Sequence, residues 1–353
     1  MFSSGDTKWL FLFASGCLLL GCQEPDQVVI ESKPLGDPFQ IAAPNYSTRY
    51  YFVDTSYIPS YEPYFLNDPP IVNSFQRITE VEVWVSRVGT APDPREIHAR
   101  AYLHLPAYNG RYPDSLRKGN VEPCTIEETQ SVRLEPSEYE VIANGYLGII
   151  RIAYPFSDYQ SIAIAYTRSD GAQFGEFIRN VIDSSFFVSR VPILLKLVKP
   201  YNLPASGPYF KDAWRLLVKS IYSIGYSGVI KTQFHLDVFQ QNARTLGQNS
   251  VLGQPLLTIL GLDRYCSDGA PAPGGDGVFD YRPGRTIDQN HGDIILPYLR
   301  PFDDGIKRYF ASIGHPVSPT SNVLLPQLYD SITTTLVQRS TFSYVFKGSA
   351  LHQ

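Results

Sequence analysis

From Ile78 onward the chain alternates apolar and polar side chains with a period of two. In "VEVWVSRV", Val81, Val83 and Val85 share one face, and Glu82, Trp84 and Ser86 share the other. In "IHARAYLHL", Ile97, Ala99, Ala101, Leu103 and Leu105 oppose His98, Arg100, Tyr102 and His104. "LGIIRIAY", "SIAIAY" and "VPILLKLVK" continue the pattern, with the small residues Ser161, Ala163 and Ala165 aligned in the second. "AWRLLVKSIYSIG" places Trp214, Leu216, Val218 and Tyr222 on one face. "VIKTQFHLDVFQQ" does the same for Ile230, Thr232, Phe234, Leu236 and Val238. Side chains alternate across a strand, so these segments predict half-buried strands in antiparallel sheets with one wet face. Helical spacing is scarce. It is clearest from Pro326, where Leu325, Leu328, Tyr329, Ile332 and Leu336 recur every three or four residues behind a proline suited to a first turn. "TFSYVFKG" then alternates again. The expected fold class is mainly β: antiparallel sheets, sandwich-like, with short C-terminal helices.

The start of the chain has a different pattern. Lys8 precedes the apolar run "WLFLFASGCLLLG", which is too short to span a bilayer but suits a signal-peptide core. Its end, "LLGC", fits a bacterial lipobox with Cys22 as the acylated residue. Gln23 is not the aspartate that retains lipoproteins at the inner membrane, so the expected location is the outer membrane, lipid-anchored, on either its periplasmic or its cell-surface face. Residues 23–47 are rich in proline and polar side chains and read as a tether. The expected organisation is a signal peptide over 1–22, the tether over 23–47 and a β-rich module over 48–350, which divides into 48–205 and 206–350. The stretch "TRYYFVDTSYIPSYEPYFLNDPP" is dense in tyrosine and proline and shows no clean period.

Composition narrows the function. With 43% hydrophobic and 13% aromatic residues the chain is a folding one. Its net charge of -4 argues against a nucleic-acid partner. Of four cysteines, Cys124 and Cys266 remain beyond the signal region; they either bond to each other or stand as two separate thiols.

Candidate chemistry is thin. His98 and His104 share a strand face with Arg100, which is the pattern of a solvated face, and His235 sits likewise with Lys231 and Asp237. His291 and Asp293 flank Gly292 and could serve a hydrolase, but no nucleophile accompanies them. "GYSGV" lacks the final glycine of a nucleophile elbow, and phosphate-loop, dinucleotide and zinc-protease signatures are absent. The loop "DGAPAPGGDGVFDYRPG", from Asp268 to Gly284, is the main metal candidate. Asp263, Asp268, Asp276 and Asp280 offer oxygens suited to calcium, yet their spacing is not that of an EF-hand. The alternative is a stiff structural connector, with prolines limiting the backbone and acids closing turns. The 24 tyrosines leave room for a glycan-binding face.

The same loop carries a resemblance. The segment from Leu252 to Phe302 holds Leu262-Asp263-Arg264, then Asp276-Gly277-Val278-Phe279-Asp280, then Thr286-Ile287, then Gly292 to Phe302 with Pro297 and Pro301. In this order the motifs resemble the N-terminal-type module of the SprA family, the gliding-motility and type IX secretion outer-membrane proteins of the Bacteroidetes group. "ITEVEVWVSRVG", "EYEVIANGYLGIIRI", "QSIAIAYTRSDGAQFGEF", "DAWRLLVKSIYSIG" and "QLYDSITTTLVQRSTFSYVFKGS" are similar to further family segments, so the likeness runs from about Tyr50 to Ser349. Ser220 stands where asparagine is usual.

The family protein is a very large β-barrel, and this chain has too few strands for such a pore. The resemblance therefore implies an accessory module, non-enzymatic and without a cofactor. It implies protein-protein interaction with outer-membrane secretion or motility proteins. It assigns no catalytic residue, and it implies that Asp276, Gly277, Phe279, Asp280, Pro297, Pro301 and Phe302 form a structural loop. The alternative function is a surface lipoprotein that binds glycan or calcium.

Overall fold

The structure is a computed structural model that describes residues 36–352 other than 90–92, 94, 119–124, 182–190, 202, 204–210, 243–244 and 331–341. Cys22 and Cys124 lie outside the described residues, as do Ile332 and Leu336. Strand exceeds helix, 36% to 20%, as the period-two alternation predicts. No helix among the described residues is long and apolar enough to cross a membrane.

The first sheet runs in the order Ile193–Lys199, Glu96–Tyr102, Ile126–Arg133, Ile78–Ser86, Ile162–Arg168, Gln173–Phe174. Ile193–Lys199 also pairs with Ile162–Arg168, so five of these strands close into a ring. All pairings are antiparallel except that of Ile193–Lys199 with Glu96–Tyr102. Closure leaves no long open edge to template a partner strand. Register puts Trp84 opposite Ala163, Leu197 opposite Ala163, and Leu195 opposite Ala101. Directly opposed residues share a face, so this face combines one large ring with small side chains.

Both faces are buried at the far end of Ile78–Ser86, where Val83, Trp84, Val85 and Ser86 are all inaccessible. A half-solvated strand was the expectation. The stretch with no clean period joins the same core. Tyr50–Phe52 is a strand, Thr55–Ser60 a 3-10 turn and Tyr61–Leu66 a helix, and Tyr51, Phe52, Tyr57 and Tyr61 are fully buried. The hydroxyls find acceptors: Tyr57 donates to the carbonyl of Gln76, and Tyr61 to that of Leu296 at 2.9 Å. Lys196, buried in the ring wall, pairs at 2.9 Å with Asp54, which caps the 3-10 turn.

The second large sheet has the order Asp37–Ala42, Phe342–His352, Val229–Asn242, Thr245–Gln248. Its long central pair shifts register between Ile230 and His235, and Gln233 has φ +70°. Only Leu236 and Val238 of the five predicted inward residues are fully buried, because the bulge breaks the alternation before them. "AWRLLVK" departs further: Lys211–Leu216 is helical, and the strand starts at Ile221. Trp214 donates its indole N–H to the carbonyl of Tyr329 at 2.7 Å, a contact between segments far apart in sequence. Helices at Ile306–Ser312 and Gln327–Asp330 supply the expected C-terminal helix.

Buried residues form two main cores. One spans Tyr50 to Ile221 and also takes in Ile295; the other joins Phe39–Ala43 to Tyr222–Ala350. Phe302 lies at the heart of the second, stacked on Tyr344 with ring centres 4.7 Å apart and edge-on to Tyr222 and Phe346.

Candidate functional site

Asp263 is fully buried, directly after the helical turn Leu256–Ile259. Its Oδ1 accepts the amide of Asp276 at 2.9 Å. Its Oδ2 accepts the amide of Gly277 at 3.0 Å and the hydroxyl of Thr258 at 3.1 Å. Burial raises its pKa while these donors pull it down. Asp280 repeats the arrangement: its Oδ2 accepts the amide of Arg264 at 2.6 Å. Burial is the larger influence there and pushes its carboxyl up to about 6. Asp268 and Asp276 each accept the amide two residues ahead, from Ala270 and Val278, as turn-closing acids do.

The loop is thus stitched to itself. Thr286 Oγ1 donates to the carbonyl of Asp280 and accepts the amide of Arg282 at 3.0 Å. Arg264 and Arg285 reach the carbonyls of Leu66 and Phe65 and so tie the loop to the helix Tyr61–Leu66. Phe279 is buried against Phe234, at 5.3 Å between ring centres. Pro297 packs where a β-carbon on Gly261 would come within 2.8 Å of it, and Pro301 opens the π-turn Pro301–Gly305. Cys266, at the mouth of this loop, is disulfide-bonded, and the chain's other cysteines lie outside the described residues. A cavity of about 350 Å³ beside the loop is walled by Lys231, Tyr265, Asp276, Val278, Asp280 and Arg282.

Asp263, Asp268, Asp276 and Asp280 therefore do not converge as a calcium ligand set among the described residues. The group that does converge is Glu140, Asp288 and His291, with ligand atoms within 4.8 Å of one another. His291 Nδ1 is 2.7 Å from Asp288 Oδ2, and Nε2 is 3.8 Å from Glu140 Oε2. The proposed pairing of His291 with Asp293 is absent from the bonds of either residue. Asp293 is buried and accepts the hydroxyl of Tyr50 at 2.5 Å, with Arg151 at 3.8 Å. Two residues apart in a continuous strand would share a face, but His291 lies in the turn before the strand Asp293–Ile295, and the positive φ of Gly292 turns the backbone between them. Glu140 and Asp288 also line a cavity of about 260 Å³ walled by Tyr50, Tyr61, Tyr64 and Phe65. Sequence reading missed Glu140, which lies some 150 positions upstream of His291 in a segment without a chemical motif. His98, His104, His235 and His352 sit in carboxylate pairs, such as His235 with Asp237 at 3.0 Å and His98 with Glu128 at 2.7 Å.

The chain matches no protein-family model and no curated protein.

Proposed function

We propose that the chain is a non-enzymatic, lipid-anchored module of the bacterial outer membrane, related to the N-terminal-type module of the SprA family, which works by docking on secretion or motility proteins. One observation carries the reading. The residues of the resemblance motifs satisfy one another: Asp263 holds Asp276 and Gly277, Asp280 holds Arg264, and Thr286 holds Asp280 and Arg282. A catalytic or ion-binding loop keeps polar groups open toward a ligand. Here Asp263, Asp280 and Thr286 each hold a backbone amide of the same loop, which is the work of a scaffold.

The scaffold offers surfaces for partners. Ile71, Val72 and Phe75 are exposed within one short loop, Phe75 by 74%, a cluster of the kind that contacts other proteins. Asp37–Ala42 lies within the stretch read as a tether but is a strand with Phe39 and Ile41 in the core; it ends its sheet and suits strand addition. The anchor at Cys22 would raise the effective concentration of these surfaces near membrane partners.

Crosslinking in native membranes, followed by identification of the captured neighbours, tests the reading. Type IX secretion or gliding components are expected. Recovery of sugar-uptake proteins alone overturns it.

A further inference from the structure

We infer that Glu140 and His291, with Asp288 as the orienting group, form a binding site for a divalent transition-metal ion of the Zn²⁺ class.

The imidazole is held by a rigid turn. Asp288 ends the short strand Ile287–Asp288, and its carbonyl accepts the amide of Gly292 at 2.8 Å. Its Oδ1 accepts the amides of Asn290 at 3.0 Å and His291 at 3.3 Å. Gly292 has φ +67°, and a β-carbon there would lie 1.7 Å from the carbonyl oxygen of Tyr226, so only glycine completes this turn. Glu140 reaches the same point from the strand Tyr139–Val141.

The hydrogen-bond pattern then leaves two acceptors facing one another, an arrangement suited to a metal. Asp288 Oδ2, an acceptor, sits 2.7 Å from His291 Nδ1, so Nδ1 carries the hydrogen. In the neutral ring, Nε2 is left with a bare lone pair. It faces Glu140 Oε2, also an acceptor, across 3.8 Å. Two acceptors so placed need a bridge between them: a water that donates to both, a proton on Nε2, or a metal that takes both lone pairs. Tetrahedral Zn²⁺, with bonds of about 2.0–2.2 Å, would set the two ligand atoms roughly 3.4 Å apart. Glu140 is half exposed and free to close the small difference. The carboxylate behind the metal-facing imidazole is the usual outer partner of a histidine ligand. An imidazole nitrogen favours a transition metal over calcium. Glu140 and Asp288 also line the aromatic cavity beside the pair.

The test is titration of the full chain with Zn²⁺ alone against a chromophoric chelator, with far-ultraviolet circular dichroism confirming that each variant is folded. One equivalent bound at micromolar Zn²⁺ is expected. Glu140→Gln and His291→Ala should each lose it, and Asp288→Asn should weaken it by roughly 10–100-fold. His235→Ala, which alters a surface pair in another sheet, should keep it. Absence of the equivalent in the unmodified chain, or its survival in Glu140→Gln or His291→Ala, overturns the proposal. A nitrogen-15 signal of doubly protonated His291 under saturating Zn²⁺ also overturns it, by showing that a proton fills the gap.

Discussion

Gly275 lies directly against the buried carboxylate of Asp263: a β-carbon on the glycine would sit 2.1 Å from Asp263 Oδ2, and its φ is +72°. Glycine at this position lets the loop fold over an acid that holds two backbone amides. Gly275→Ala must both displace that carboxylate and adopt a left-handed backbone, so a loss of about 1–3 kcal/mol is expected. Asp263→Ala strands the amides of Asp276 and Gly277 and the hydroxyl of Thr258, with an expected loss of about 2–4 kcal/mol. Urea unfolding of both variants checks this. Wild-type midpoints in both would refute the scaffold role of the loop. Because all four loop acids already have amide donors, added Ca²⁺ should leave the wild-type melting temperature unmoved.

Asp280 gives the loop a pH dependence. Burial lifts its carboxyl from 3.8 to about 6 in the folded chain. Between these values the folded state binds more proton than the unfolded state, so the contribution of this group to stability falls as pH rises from about 4 to 6. The penalty is absent below that window and complete above it. Asp280→Asn can still accept the Arg264 amide but has no proton to lose. Unfolding midpoints for both proteins across the window should show a steeper decline in wild type, whereas parallel curves would exclude Asp280 as the source.

Lys219 works in the opposite sense and at higher pH. It is buried, donates to the carbonyls of Trp214 and Leu217, and lies 4.3 Å above the Trp214 ring. Burial, with Arg300 nearby, lowers its pKa from 10.5 to about 7. The unfolded chain therefore binds more proton between those values, and stability gained from this group rises with pH across that window. The charge penalty is complete below about 7 and gone above 10.5. Lys219→Met lacks the effect. Wild type should gain stability relative to the variant from pH 7 to 10, and a constant difference would count against it.

Two phenylalanines should separate folding from docking. Phe302 is wholly buried against Tyr344, and Phe302→Ala is expected to cost about 3–5 kcal/mol in thermal or urea unfolding. Phe75 is largely exposed, and Phe75→Asp should stay within about 0.5 kcal/mol of wild type. If the Ile71–Phe75 loop is a docking surface, that second variant should lose crosslinked neighbours in native membranes. Retention of the full set of neighbours would remove this loop from the interface.

The sequence by itself determined the fold class. Strand alternation is a local property, written in side chains two apart, and Ile78–Ser86, Glu96–Tyr102, Ile162–Arg168, Ile193–Lys199 and Phe342–His352 are strands as their patterns require. It also marked the loop from Asp268 to Gly284, because glycine, proline and aspartate at close spacing constrain the backbone locally. What only the tertiary structure decided depends on residues distant in the chain. The ring closes because Ile193–Lys199 finds both Glu96–Tyr102 and Ile162–Arg168, and no local pattern encodes that meeting. The first part of "AWRLLVK" is helical through Leu216 despite its alternation, and Trp214 there bonds to the carbonyl of Tyr329, far along the chain. His291 meets Glu140 instead of Asp293 because a turn at Gly292 and a strand far upstream set the directions of those side chains. Period and turn chemistry act over a few residues, whereas the assembly of polar groups follows from how the sheets pack.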